Sequence, residues 1–275
     1  MPGPVSDHYN SIDLLSRIER ALGTIDRTPD TVTIEEIAPL EEFHIGARAA
    51  TAALIPKLEL KSSHRALDVG CATGGVSRYA ANRYGCAVDG VDLTATFIEA
   101  GKTISSWLNL TSKVRLHHRN AAETDFEDDT FDCAWMFHVG MNIEHKGELF
   151  SEVKRVVKPG GRFLIYDIMR GRDASTPLRF PMPWASEGSI SFVEPVETYE
   201  DGLEAAGFAI HSSVPQSDIA GAFFERLAEQ TGKKPSAIST ATLMGDGAGE
   251  KSANLLAAWQ AEQIMPTAIL AKVPG

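Results

Sequence analysis

The chain has 275 residues, enough to bury the core of one large domain or of one domain with additions, and its 43% hydrophobic and 23% charged residues are those of a globular protein. Its net charge of −11 lacks the basic footprint of a domain built to neutralise phosphates, so nucleic acid is not expected as a partner. No apolar run approaches the ~20 residues that cross a bilayer, and the N-terminal MPGPVSDHYN lacks a basic-then-apolar signal pattern, so the expectation is a cytoplasmic location without a membrane partner.

Residues 11–22 carry apolar side chains at 12, 14, 15, 18, 21 and 22, which is helical spacing. Thr28-Pro29-Asp30 breaks the pattern, 34–37 reads as a short helix, and the alanine-rich 46–60 as a helix that Pro56 ends or kinks. Residues 1–60 are therefore expected to form a helical N-terminal extension or cap. Strand patterns follow at 65–69, 87–92, 114–118, 132–137, 162–167, 208–213 and 267–273. Helical patterns fall between them at 75–83, 95–107, 146–156, 198–206, 218–230 and 251–264. This alternation predicts an α/β domain over 61–275, with a doubly wound, mostly parallel seven-stranded sheet covered on both faces. Residues 171–196, with Pro177, Pro181, Pro183 and Pro195 around Phe180, Trp184 and Phe192, interrupt the rhythm and read as a lid insertion. Asp246–Glu250 reads as a surface turn. The three cysteines, Cys71, Cys86 and Cys133, have no CxxC spacing and read as small hydrophobes, and no metal site is expected.

The segment Arg65–Tyr79, RALDVGCATGGVSRY, places a strand, a glycine-rich turn and a helix start in succession. Backbone in such a turn can press against a nucleotide-like ligand. The next strand ends at Asp92, ~20 residues after Gly70, a spacing that suits a carboxylate holding ribose hydroxyls. The turn also reads as a degenerate dinucleotide fingerprint, G-x-A-x-x-G, through Gly70, Ala72 and Gly75. Asp68 argues against it: a carboxylate two residues before the first glycine repels a pyrophosphate and attracts an ammonium. A nicotinamide-dependent oxidoreductase and a non-catalytic cofactor-binding subunit are the competing readings.

The stretches LDVGCATGG (67–75), VDGVDLT (88–94), NAAETDFEDDTFD (120–132) and VKRVVKPGGRF (153–163) resemble the class I S-adenosylmethionine-dependent methyltransferases, over roughly residues 40–210. A narrower likeness, to the sarcosine/dimethylglycine N-methyltransferase-like group, rests on EFHIGARAAT (42–51), GMNIEHK (140–146), FPMPWA (180–185) and SFVEPVETYEDGLEAAGF (191–208). The resemblance implies a Rossmann-like fold and S-adenosyl-L-methionine as cofactor. It implies cofactor contacts from Asp68, Gly70, Cys71, Gly74, Asp92, Leu93, Asn120, Ala121 and Phe137. Lys158-Pro159-Gly160-Gly161 would be the turn into the fifth strand. There are departures: Ala72 stands for a glycine, Asn120 for a common aspartate, and Gly46-Ala47-Arg48 for a paired glycine.

His138, just after the strand at 132–137, is the candidate catalytic residue. His44, Met141, Asn142, Tyr166 and Trp184 are candidate substrate-side residues, each weighed against ordinary packing. An amine acceptor needs only to be neutral when it attacks, whereas a hydroxyl gains from a base, for which His138 is the candidate. The narrower likeness leans to nitrogen. Rings at Trp184, Phe180 and Tyr166 would stabilise a cationic product by roughly 0.5–2 kcal/mol each. Arg170, Arg172 and Arg179 are candidates to meet a carboxylate, against a solvated role. The acidic run Glu123–Asp129 reads as a solvated loop. The expected partner is a small-molecule substrate, and a homodimer is compatible with the sequence without being specified by it.

Overall fold

The computed structural model describes residues 14–230, 238–244 and 247–275. Its sheet takes strands β1 (Arg65–Val69), β2 (Ala87–Asp92), β3 (Val114–His118), β4 (Phe131–Phe137), β5 (Val157–Arg170), β6 (Ala209–Pro215) and β7 (Ile264–Lys272) in the order β3-β2-β1-β4-β5-β7-β6. The pairs among β1 to β5 are parallel, whereas β7 runs antiparallel to both β5 and β6. The sheet is thus mixed, with its one reversed strand inserted between β5 and β6.

The central strands are apolar on both faces, as strands covered on both sides must be. Alternate residues serve opposite cores. Ala66, Cys133, Trp135, Leu164 and Tyr166 pack on one side. Leu67, Val69, Ala134, Met136, Phe163 and Ile165 pack on the other, against Leu149, Phe150, Val153, Tyr199 and Leu203.

Ten helices are described: α1 (Leu14–Gly23), α2 (Ile34–Glu41), α3 (Ala47–Leu54), α4 (Gly75–Tyr84), α5 (Ala95–Trp107), α6 (Lys146–Val156), α7 (Val196–Ala205), α8 (Ser217–Gln230), α9 (Ala241–Met244) and α10 (Ala248–Gln260). The expected helix over 11–22 is described from Leu14 onward, and MPGPVSDHYN lies outside the described residues. Thr33 and Glu36 form a capping box that starts α2. Pro56 acts as the sequence requires: α3 stops at Leu54 and gives way to a 3-10 turn over Ile55–Leu58. Leu14, Ile18 and Leu22 of α1 and Ile37 and Leu40 of α2 pack onto Phe97 and Ile104 of α5.

Several boundaries differ from the sequence reading. β5 extends well beyond 162–167, because β7 pairs with it continuously from Arg162↔Lys272 to Arg170↔Ile264. The expected turn at Lys158–Gly161 lies within that strand, where Gly160 N–H donates to Val273 O at 2.9 Å. The last helix covers 248–260 rather than 251–264, since the chain reverses through Glu262 at φ +53° to enter β7. Of the expected turn at 246–250, Asp246 lies outside the described residues, Gly247 caps α10, and Ala248–Glu250 form its first turn.

The insertion at 171–196 is packed rather than free: Met182, Trp184, Ala185 and Ile190 share a core with Phe224 of α8 and Leu255 and Ala258 of α10. Among the described residues no helix is long and apolar enough to cross a membrane. β1 lies between β2 and β4, so the chain reverses direction along the sheet there, and the turn after β1 opens at that switch point.

Candidate functional site

β1 delivers the chain into a turn that only particular residues can make. Gly70 and Gly74 have φ of +69° and +87°. A Cβ on Gly70 would stand 2.3 Å from Val139 Cγ2, so the turn leaves no room for a side chain there. Ala72 takes φ +47° in the same turn, a conformation that an L-residue adopts at a cost of roughly 1–2 kcal/mol. Its N–H donates to Asp92 Oδ2 at 2.9 Å, while Thr94 N–H donates to Asp92 Oδ1 at 2.8 Å. The Asp92 carboxylate therefore ties the turn after β1 to the turn after β2. Asp68 is buried below the same turn and accepts from Ser77 Oγ at 2.6 Å. Burial pushes its carboxyl up to about 7, against the pull of Ser77, and burial likewise raises Asp92.

The turn is braced from behind by residues that the sequence reading missed. Arg78, in the first turns of α4, is fully buried and donates to Thr73 O (2.7 Å), Gly101 O (3.1 Å), Ser105 Oγ (2.9 Å) and the Glu41 carboxylate at the end of α2. Close approach requires glycine twice here. A Cβ at Gly75 would lie 2.8 Å from Glu41 Cβ, and one at Gly101 would lie 2.4 Å from Thr73 O. A glycine inside the helical pattern of 95–107 was the available signal for this contact.

Two cavities open on this framework. The larger, of about 790 Å³, is lined by Asp68, Gly70, Cys71, Asp92, Leu93, Asn120, Ala121 and Phe137, together with His44, His138 and Asn142. Nearly the whole predicted cofactor set thus shares one wall. Gly74 does not line it; that residue caps α4 from behind, where a Cβ would meet Leu116 Cδ1 at 3.0 Å. Asn120 accepts from Ala122 N–H at 3.1 Å, so it closes a turn as well as facing the cavity.

The smaller cavity, of about 330 Å³, shares Phe43, His44 and His138 with the larger one. These three form the neck between them. Met141 and Trp184 line this second chamber rather than the first, with Ile168, Phe223, Leu227 and Leu255. Trp184 is at once pocket wall and core: it is buried, and its Nε1–H donates to Ser191 Oγ at 2.9 Å. Asn142 Nδ2–H donates to Trp184 O at 2.8 Å, which joins the loop after β4 to the insertion. Tyr166 lines neither cavity, contrary to expectation. Its ring lies 4.9 Å from that of His138, and its hydroxyl donates to Ile45 O at 3.0 Å, so it serves as a buried support. Arg170, Arg172 and Arg179 also line neither; Arg170 donates to Thr176 O at 2.8 Å. The wall from α8 to α10 was not foreseen, although the long gap between the strands expected at 208–213 and 267–273 exceeds any hairpin loop.

The neck is electrically quiet. His138 sits at φ +55°, a strained conformation for a non-glycine residue, and its N–H donates to Tyr166 O at 2.7 Å. Its Nε2 is buried without a hydrogen-bond partner among the described residues. His44, whose ring centroid lies 6.0 Å away, places Nε2 3.0 Å from Ala47 O. A carbonyl only accepts, so Nε2 carries the proton and Nδ1 the lone pair. Thr51 Oγ1 lies 3.1 Å from the same nitrogen and donates to Glu42 Oε2 at 2.7 Å. Burial pulls His44 down to about 4 and His138 well below its ordinary value, so both imidazoles are neutral at pH 7. Burial pushes Glu42 up to about 7, opposed by Arg48 at 2.9 Å.

Residues 67–165 match the model of the methyltransferase domain family. A probable tocopherol O-methyltransferase of Oryza sativa subsp. japonica is 35% identical over 113 residues, covering 41% of this chain and 31% of that protein. Methyltransferase GfsG of Streptomyces halstedii is 25% identical over 208 residues, covering 74% of this chain and 72% of that protein. The matches thus span 31% and 35% of the first two curated relatives. Among solved structures, the geranyl diphosphate C-methyltransferase of Streptomyces coelicolor A3(2) superposes with a TM-score of 0.70 at 18% identity, over 99% of both chains. That likeness is one of fold.

Proposed function

We propose that the chain is an S-adenosylmethionine-dependent enzyme of the class I kind that methylates a small-molecule acceptor, a reading supported by the match of residues 67–165 to the methyltransferase domain family. Support comes from one wall of one cavity. Asp68 and Asp92, at the ends of β1 and β2, face the same 790 Å³ space across a glycine turn whose backbone has no room for a side chain. Those residues suit S-adenosylmethionine: Asp92 would hold the ribose hydroxyls, and Asp68 the α-ammonium, directly or through water. Asn120 and Ala121 would border the adenine, with Leu93, Cys71 and Phe137 as apolar walls.

When bound, the cofactor supplies an electrophilic methyl group on a sulfonium. The protein need only orient a neutral nucleophile and keep water out. Phe43, His44 and His138 would do so at the neck, with the acceptor entering from the smaller chamber. α2 and the segment after it contribute Glu41, Phe43 and His44 to the larger cavity, and this supports reading the described part of 1–60 as a cap over the site. The likeness to the sarcosine/dimethylglycine group supports a nitrogen acceptor, and the tocopherol relative an oxygen one. A nicotinamide-dependent reaction has the weaker case, because Asp68 stands where a pyrophosphate would be repelled.

Calorimetric titration with S-adenosylmethionine, S-adenosylhomocysteine and NADH tests the proposal. Binding of the first two, abolished in Asp92→Ala, is the expected result. Preference for NADH, or no binding of either sulfur nucleoside, refutes it.

A further inference from the structure

Resting on that reading, we propose that the acceptor is an uncharged, largely apolar molecule that occupies the 330 Å³ chamber beyond the neck, and not a small zwitterionic amine. The walls argue for it. Met141, Ile168, Trp184, Phe223, Leu227 and Leu255 come from the loop after β4, from β5, from the insertion and from α8 and α10, and all turn apolar surface inward. Five separate parts of the chain converge on one apolar lining. The volume lies at the lower end of ligand cavities, room for a ring system or a short branched chain.

The polar groups point the same way. A charged amine or carboxylate that leaves water for a largely apolar chamber needs an opposite charge to offset its desolvation. Among the described residues, the one carboxylate on the lining, Glu42, is already engaged by Thr51 and Arg48. The two imidazoles at the neck are uncharged. The single arginine on the lining among the described residues, Arg226, is exposed, with Gln230 near it in sequence and Thr240 on the same lining. Polarity is therefore placed at the outer rim and at the neck, with an apolar stretch between. A molecule that matches this order has one uncharged polar group at the end that reaches His44 and His138, an apolar body, and tolerance for polar groups at the far end. The buried, unpartnered Nε2 of His138 is the neck's unsatisfied hydrogen-bonding group.

The chamber can be probed without turnover. Octylphenol, a neutral apolar phenol, and sarcosine, a zwitterionic amine, are titrated by calorimetry into the full chain saturated with S-adenosylhomocysteine. The same is done for Ser252→Phe, which fills the chamber from α10, and Leu227→Asp, which charges its wall. Melting curves and the S-adenosylhomocysteine affinity, both unchanged, show that each variant is folded. Octylphenol should bind, sarcosine should not, and both variants should weaken octylphenol at least about tenfold, or ~1.4 kcal/mol. Binding of sarcosine in preference to octylphenol, no binding of octylphenol, or octylphenol binding in both variants as tight as in the unaltered chain overturns the proposal while S-adenosylhomocysteine still binds. Failure of S-adenosylhomocysteine to bind the unaltered chain instead removes the cofactor assignment, and the acceptor assignment with it.

Discussion

The Glu41–Arg78 pair should be the point at which stability and cofactor binding are coupled. Arg78 is fully buried, and its guanidinium reaches the Glu41 carboxylate, two backbone carbonyls and Ser105. Glu41→Gln keeps the shape and one acceptor oxygen but leaves the guanidinium without its counter-charge. Breaking a buried ion pair from one side costs roughly 3–5 kcal/mol. Because Thr73 O, Gly101 O and Ser105 Oγ remain as acceptors, the low end applies, about 3 kcal/mol. Arg78→Met should cost a similar amount, since it strands the Glu41 carboxylate and strips the partner of Thr73 O, while Gly101 O keeps the Ser105 hydroxyl at 2.8 Å. The double variant should fall short of the sum by about 2 kcal/mol, because neither charge is then stranded. Urea denaturation followed by circular dichroism measures all three, through the midpoint at constant slope. Since Thr73 belongs to the glycine turn, each single variant should also weaken S-adenosylhomocysteine about tenfold or more. A Glu41→Gln loss below about 1 kcal/mol, with additive behaviour in the double variant, would refute the reasoning.

Asp68 should release a proton when the cofactor binds. Burial raises its carboxyl to about 7 in the folded chain, above its value when unfolded, so its contribution to stability is lost as pH rises from about 4 through about 7. A cation beside it restores the charged form. Calorimetry at pH 6 in buffers of different ionisation enthalpy should show proton release that disappears in Asp68→Asn; equal release in the variant would assign the proton elsewhere. Gly70→Ala combines φ +69° with a Cβ 2.3 Å from Val139 Cγ2 and should reduce S-adenosylhomocysteine affinity more than tenfold, by ~1.4 kcal/mol or more. Unchanged affinity would show that the turn yields easily. Gly140→Ala would bring a Cβ 2.5 Å from Asp167 Oδ2 and 2.8 Å from Tyr199 Oη, whose hydroxyl donates to that same carboxylate oxygen at 3.0 Å. The loop carrying Asn142 must then shift, and acceptor KM should rise more than cofactor Kd; equal changes in both would count against a role for this loop on the acceptor side.

The sequence by itself determined the order of strands and helices and the wall of the larger cavity. Those features are local. Alternating apolar runs define strands wherever they occur, glycines at Gly70 and Gly74 answer a demand of the backbone for positive φ, and Asp68 and Asp92 are placed by strands that end beside one another in any doubly wound sheet. Tertiary structure alone decided the rest. Tyr166 is a candidate for the pocket in sequence because it falls at the end of the strand expected at 162–167; β5 instead runs on to Arg170, and the Ile45 carbonyl, far away in the chain, holds the ring behind His138. The antiparallel β7 lengthened β5 by pairing across the chain's end. Arg78 reads as an ordinary helix residue until α2 brings Glu41 against it. The second chamber has no motif, because its lining comes a few residues at a time from α8, α10, β5, the insertion, the loop after β4 and the segment after α2. Apolar residues of that kind look the same in sequence whether they fill a core or border a cavity, and only the packing of distant elements settles which.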